Sequence, residues 1–198
     1  MARKSTDERK KEIVEAALEL IGEKGIASLR TSEIAEKVGF TEAAMYKHFD
    51  RKENILRETV KTAGGRLMEA LADVEDRGLG EMYSVMETHI EFLQSNPGII
   101  RILFSEEVHF NRKELRSELL KVVGRYRELV MGILEGAEKE GELKKNLDKE
   151  AIFDIYFGVL QSSLVIWSLN DGKTSLMERF EKTWEEFEKA IKVQGEKG

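Results

Sequence analysis

The chain has 198 residues, of which 41 % are apolar and 35 % charged, with a formal net charge of −6, no cysteine and a single proline. This composition excludes a disordered chain, a disulfide framework, thiolate metal sites and cysteine nucleophiles. No run approaches the roughly 18 apolar residues of a membrane span, and MARKSTDERKKE lacks the apolar core of a secretory signal, so a soluble, cytoplasmic, all-α protein that spans no membrane is expected.

Ser5 or Thr6 caps a first predicted helix running to about Lys24, and Ser5 with Glu8 has capping-box spacing. Ile13, Ala16, Ala17, Leu20 and Ile21 fall on one face, and Gly22 and Gly25 mark the end. Ile26 and Leu29 fold back onto that face. Thr31 is expected to cap a short second helix with Ile34, Ala35 and Val38 inward, and Gly39 to end it in a tight turn. Thr41 caps the third, with Ala44, Met45 and His48 available as inner contacts and Phe49 plugging its end. Asp50 with Glu53 is expected to open a fourth helix that reaches about Val74, with a bend or boundary near Gly64-Gly65. After a loop over 76–80, a helix covers Glu81–Gln94. Asn96-Pro97 reads as an N-cap and first helical residue, opening the apolar segment GIIRILFSEEVHF. Three more helices are predicted over about Lys113–Glu140, Glu150–Leu169 and Ser175–Ile191, with a frayed tail VQGEKG. The sum is nine helices and no strand.

Charge is unevenly spread. Residues 1–63 carry 13 Lys/Arg against 12 Asp/Glu, a net +1, whereas the remainder carries 19 against 26, a net −7. A locally basic end on an acidic body suits a small nucleic-acid contact.

The segment TSEIAEKVGFTEAAMYKHF, Thr31 to Phe49, has the three requirements of a helix-turn-helix. Two short helices flank a tight turn, Ala35, Val38, Met45 and Phe49 brace the angle, and the second helix begins with small and polar outward residues. Thr41, Tyr46 and Lys47 are suitable phosphate donors, with Arg51 and Lys52 from the next helix and Thr31 and Ser32 from the preceding one. Glu42 and Ala43 are left to meet base edges, an acceptor for a cytosine amino group and a methyl contact for thymine. A plain three-helix packing unit with a charged surface remains the alternative at this point.

The block IAEKVGFTEAAMYKHFDRKENIL, the RETV after it and the lead-in IVEAALELIGEKGIASLRTSEIA resemble the tetracycline-repressor (TetR) family of transcriptional regulators over residues 12–60. The resemblance implies a DNA-binding repressor with a nine-helix TetR-like architecture, split into a helix-turn-helix domain over 1–52 and a ligand-binding and dimerisation domain over 53–198. It implies that Thr41, Tyr46, Lys47, His48 and Lys52 face DNA, and that Glu42 and Ala43 lie near base edges. Two departures stand out. Glu42 is acidic and needs a compensating contact beside phosphates. Ser32 stands where some members place a base-reading arginine.

The helix over 150–169 is apolar nearly all round, with Ile152, Ile155, Tyr156, Val159, Ser163, Ile166 and Trp167 on one face and Phe153, Phe157, Leu160, Leu164 and Leu169 on the other. A chain this short does not easily surround such a helix, and a second subunit does. Ile155, Val159, Ser163 and Ile166, with Phe180, Trp184 and Phe187 of the last helix, are therefore the expected homodimer interface, a four-helix bundle. Met86, His89, Ile90, Leu93, Leu103, Phe104, Val108, Tyr126, Val130, Phe157 and Trp167 are the candidate walls of an effector pocket, against a filled core. Arg101, Arg125 and Arg127 are available to an anionic headgroup or to surface ion pairs.

The stretch from Asn111 to Gly172 also resembles the ligand domain of the TetR subgroup that responds to long-chain acyl-coenzyme A. It implies an acyl chain in the pocket, with drugs and aromatic compounds as other hydrophobic effectors. Partners expected are thus operator DNA, a hydrophobic effector and a second copy of the chain. No cofactor, metal or catalysis is expected. The three histidines lack metal-binding spacing with one another, and there is neither a glycine-rich phosphate loop nor an HExxH. Glu106-Glu107 beside His109 is a weak metal cluster. A helical interaction protein without DNA affinity is the rival class.

Overall fold

The computed structural model describes residues 5–193; the basic Arg3 and Lys4 and residues 194–198 of the expected frayed tail lie outside the described residues. The described residues form nine α-helices and one π-helical turn: α1 Thr6–Lys24, α2 Thr31–Lys37, α3 Glu42–Met45, α4 Lys52–Ala72, α5 Gly78–Ser95, α6 Pro97–Leu103, the π-turn Glu107–Asn111, α7 Lys113–Lys139, α8 Lys149–Leu169 and α9 Leu176–Ile191. The single β feature among them is an isolated bridge between Leu143 and Lys192.

These elements group into two compact units. The first takes the chain up to Leu67 together with Leu93–Val123, and the second takes Met68–Phe92 and the chain from Gly124 onward. The division expected at 52/53 falls inside the first unit. The physical reason is that α6 packs on α1, at a crossing where Gly98 lies against the Leu18 carbonyl and the Gly22 backbone. The apolar segment 98–110, which the expected division at 52/53 assigned to the second domain, therefore belongs with the first unit. It also breaks after Leu103 into the π-turn.

In the first unit the capping box at Ser5 forms as its spacing predicts, Ser5 Oγ accepting from the Glu8 N–H at 3.2 Å. α1 buries Ile13, Val14, Ala16, Ala17, Leu18, Leu20 and Ile21, and Ile26 and Leu29 close over them. α2 begins one residue earlier than expected. Thr31 is its first helical residue rather than its cap, and the Arg30 N–H donates to Glu33 at 3.2 Å. Gly39 turns the chain with φ +72°, a left-handed conformation that a Cβ disfavours. α4 begins at Lys52 and runs unbroken through Gly64-Gly65. Its Glu53 side chain goes to Arg112 at 2.9 Å instead of back to Asp50.

In the second unit α8, capped by Asp148, packs on α9, capped by Ser175. Leu176, Phe180, Trp184, Phe187 and Ile191 recur at helical spacing and are all buried. They form an aromatic cluster with Tyr83 of α5 and Tyr156 of α8, whose hydroxyl donates to the Met82 carbonyl at 2.6 Å. Among the described residues α8 alone is long and apolar enough to cross a membrane. Here Ile152, Phe153, Tyr156, Leu160, Ser163 and Leu164 are buried within the fold.

Candidate functional site

The segment from Thr31 to Phe49 folds as two helices about Gly39, and the second is a single turn. Thr41 caps α3, its hydroxyl accepting from the Ala44 N–H at 3.1 Å. Past Met45 the chain tightens, with the N–H groups of Lys47 and His48 bonding three residues back to Ala44 and Met45. Ile34, Ala35, Met45 and Phe49 are buried and fix the angle between the helices. Val38, expected among them, is half-buried.

That packing leaves a polar rim on the solvent side. Ser32, Thr41, Glu42, Ala43, Tyr46 and Lys47 are exposed, Tyr46 by 40 %, and Thr31 and His48 are half-buried. The Thr31 hydroxyl donates to the Glu42 carboxylate at 2.6 Å, which joins the starts of α2 and α3 and fixes the direction of that carboxylate without neutralising its charge. The ring of Phe40 is held between Arg9, whose guanidinium lies 4.8 Å from its centroid, and a stacked His48 at 6.1 Å. Lys24 pairs with Glu33 at 2.5 Å and Lys37 with Glu19 at 2.7 Å, tying α2 to α1. The Lys24 ammonium holds the Glu33 carboxyl below the usual carboxylate range, chiefly by hydrogen bonding.

Lys52 is placed differently from the rest of the predicted rim. It is half-buried, its ammonium donates to the Leu29 carbonyl, and burial, aided by Arg112, lowers its pKa. In this conformation it braces the loop before α2 and does not extend into solvent. Beside it, Arg112 bridges Glu107 of the π-turn at 2.8 Å and Glu53 of α4 at 2.9 Å. Both carboxyls are held low, Glu107 first by its hydrogen bond to Arg112 and Glu53 first by a backbone hydrogen bond, with Arg112 adding to it. Sequence spacing gave no sign of this bridge, because its partners lie 59 residues apart.

The candidate pocket residues divide between the two units. Of those in the second, Met86, His89, Ile90, Tyr126 and Val130 are buried, and Phe157 and Trp167 are half-buried. His89 meets Tyr126 edge-on at 4.9 Å, and Tyr126 meets Phe157 at 5.8 Å. Trp167 packs against the turn at Gly172. Of those in the first, Leu93 and Val108 are buried, Leu103 is half-buried and Phe104 is 40 % exposed. Arg127 is spent on Glu150.

The interface candidates also divide. Ile155 is 55 % exposed, and Val159 and Ile166 are half-buried. Ser163, Phe180, Trp184 and Phe187 are turned into their own unit at 2, 1, 8 and 7 % exposure, because the aromatic face of α9 is consumed by α8 and α5. Those four offer little surface to a second chain.

Among the described residues no group of three or more His, Asp or Glu side chains is placed to hold a metal. Glu107 is engaged by Arg112, and His109 Nε2 lies 2.5 Å from the Leu103 carbonyl.

Residues 13–59 match the family described as bacterial regulatory proteins, tetR family, and residues 57–189 match the family described as YsiA-like protein, C-terminal region. The chain is 27 % identical over 169 residues to the fatty acid metabolism regulator protein of Bacillus subtilis (strain 168), covering 84 % of this chain and 87 % of that protein. It is 26 % identical over 148 residues to the HTH-type transcriptional repressor KstR2 of Rhodococcus jostii (strain RHA1), covering 73 % of this chain and 72 % of that protein. The crystal structure of the transcriptional regulator FadR from Bacillus subtilis in complex with stearoyl-CoA matches with a TM-score of 0.77 and 25 % identity, over 89 % of this chain and 96 % of that one. The chain belongs to the TetR family of bacterial regulatory proteins, a family of non-catalytic regulators, and its C-terminal region is of the YsiA-like type.

Proposed function

We propose that the protein is a transcriptional repressor that binds a two-fold symmetric operator as a homodimer and is released by a long-chain acyl-coenzyme A. One observation carries the DNA-binding half of this reading. A braced corner presents Thr41, Ala43, Tyr46 and Lys47 together on its solvent side, with the nearby carboxylate of Glu42 tied back by a hydrogen bond from Thr31. Hydroxyl and ammonium donors around a small side chain suit phosphates flanking a groove, with Ala43 free to approach a base edge. A single corner makes few contacts. Two of them, set about 34–36 Å apart by a dimer, reach successive major grooves on one face of the duplex.

The effector half is supported by the similarity to a fatty acid metabolism regulator and to a regulator crystallised with stearoyl-CoA. The effector favours one spacing of the two corners and DNA the other, so each weakens the other by linkage. α4 and the helix opening at Pro97 are the elements that carry this shift.

The test is a fluorescence-anisotropy titration of a palindromic duplex selected from a random library. Wild type is expected to lose affinity log-linearly with salt. Lys47→Ala, which removes one phosphate contact from each subunit of the dimer, reduces the slope by about two and Tyr46→Phe weakens binding uniformly across sequences, each with an unchanged melting temperature. Palmitoyl-CoA releases the duplex and free coenzyme A does not. Affinity that is indifferent to salt and to both substitutions would sink the DNA assignment. Release by neither thioester nor free acid would sink the effector.

A further inference from the structure

Of the three buried polar atoms among the described residues of the second unit that lack a hydrogen-bond partner, Thr174 Oγ1 lies near the turn before α9, and the other two belong to facing rings in the interior. His89 of α5 and Tyr126 of α7 are 5 % and 1 % exposed, with ring centroids 4.9 Å apart. His89 Nδ1 is buried without a hydrogen-bond partner. The Tyr156 hydroxyl lies beside that of Tyr126, but its proton goes to the Met82 carbonyl, and the Tyr126 oxygen completes no bond of normal geometry. Buried polar groups are nearly always paired, and a phenylalanine or leucine at either position would fill the space without a desolvation penalty. Two open polar atoms on facing rings therefore mark a place built for a guest.

The surroundings define that guest. Met86 and Ile90 share the His89 face of α5, Val130 lies one turn from Tyr126 on α7, and all three are buried. The Phe157 ring stands 5.8 Å from Tyr126 and is partly exposed. Burial pushes the His89 pKa down to about 3 and raises that of Tyr126, so one ring is neutral and the other keeps its proton. Among the described residues no lysine or arginine is buried. A carboxylate brought here would lie unpaired, whereas a carbonyl oxygen accepts from the phenol and stays neutral.

We infer that His89 and Tyr126 form a polar anchor for an uncharged carbonyl, an ester or thioester, carried on an otherwise apolar effector. The inference rests on the proposed acyl effector and says which part of it the second unit grips.

The experiment follows the fluorescence of Trp167 and Trp184 during titration with dodecanoyl-CoA, methyl dodecanoate and dodecanoate, alongside thermal melts of the unliganded protein. Wild type is expected to bind thioester and methyl ester at least tenfold more tightly than the carboxylate. Tyr126→Phe and His89→Leu each weaken the first two by about tenfold, spare the third, and raise the melting temperature by about 2 to 4 °C, because each removes an unsatisfied buried atom. A merely structural pair would lower it. Thioester binding without ester binding overturns the anchor in favour of headgroup recognition, as do variants that bind the ester like wild type. If wild type binds none of the three, the acyl effector falls, and the melts then decide the pair. Variants that melt below wild type overturn it, and variants that melt above it support a site for a different neutral guest.

Discussion

His89 is sealed from water, whereas His48 is half-buried and His109 exposed, and this gives the fold a pH dependence. Its pKa is lowered from the ordinary 6.5 to about 3 by burial alone. Between those values the unfolded chain takes up a proton that the native ring refuses, so native stability falls as pH drops below about 6.5. At pH 5.5 this group removes about 1 kcal/mol relative to pH 7, with a limiting slope of about 1.4 kcal/mol per pH unit. Urea titrations at the two pH values should show that loss in wild type and not in His89→Leu, once the carboxylate contribution common to both is subtracted. An equal loss in both proteins would mean that the imidazole reaches solvent. Other residues of the site were readable to different degrees. The exposed Tyr46 and Lys47 followed from helical periodicity, since braces at Met45 and Phe49 force them outward. Lys52 did not, because its stem and ammonium are claimed by a carbonyl 23 residues away.

Helix limits were the most legible elements, because caps are local. Ser5 with Glu8, Thr41 and Ser175 announce helices through side chains within three residues of the bonds they make, and Asp148 caps α8 the same way although the helix was expected to open at Glu150. Glycines were half legible where their reason is tertiary. Gly64-Gly65 was expected to mark a bend or a boundary; the helix is continuous, the division between the two units falls just beyond at Leu67, and α7 comes close at Gly64. A Cβ at Gly64 would lie 2.2 Å from a Val122 methyl carbon. At Gly98 it would lie 2.4 Å from the Leu18 carbonyl oxygen, where α6 crosses α1. The two obstacles differ in kind, for a side chain can be shortened and a helix backbone cannot. Gly64→Ala and Gly98→Ala should each destabilise by about 1–3 kcal/mol. Adding Val122→Ala should recover most of the loss at Gly64. No side-chain change on α1 should rescue Gly98→Ala, which is also expected to alter the coupling between effector and DNA, since it shifts the crossing itself. Chemical denaturation of the two single variants and the double variant decides this, and a Gly98→Ala protein as stable as wild type would show that the crossing has slack.

At the scale of the whole molecule, the face of α8 left open to solvent is the surface available to the proposed dimer. Ala151, Ile155, Gly158, Ser162, Val165 and Leu169 recur at alternating spacings of four and three and are all exposed, Ile155 by 55 %, Val165 by 41 % and Leu169 by 76 %. Small residues at 158 and 162 let a second helix approach closely, and the large apolar residues to either side supply the area. α9 offers nothing comparable, because its outward positions Glu178, Arg179, Lys182, Glu185 and Glu186 are charged. The sequence marked α8 as apolar nearly all round, and one of its apolar faces is exposed to solvent. It could not divide the aromatic residues of α9 between the core and a partner, since both uses demand the same periodicity. The proposed dimer therefore runs along α8, and two substitutions separate the possibilities. Ile155→Lys places a charge in the seam and should leave a folded monomer by sedimentation at micromolar concentration. Its operator affinity should drop by about 10²–10⁴, the effective-concentration advantage of joining two readers. Phe187→Ala, in the core, should instead cost about 3–5 kcal/mol of stability while the protein that remains folded stays dimeric. The reverse pattern, with Phe187→Ala dissociating the dimer and Ile155→Lys leaving it intact, would move the interface to α9.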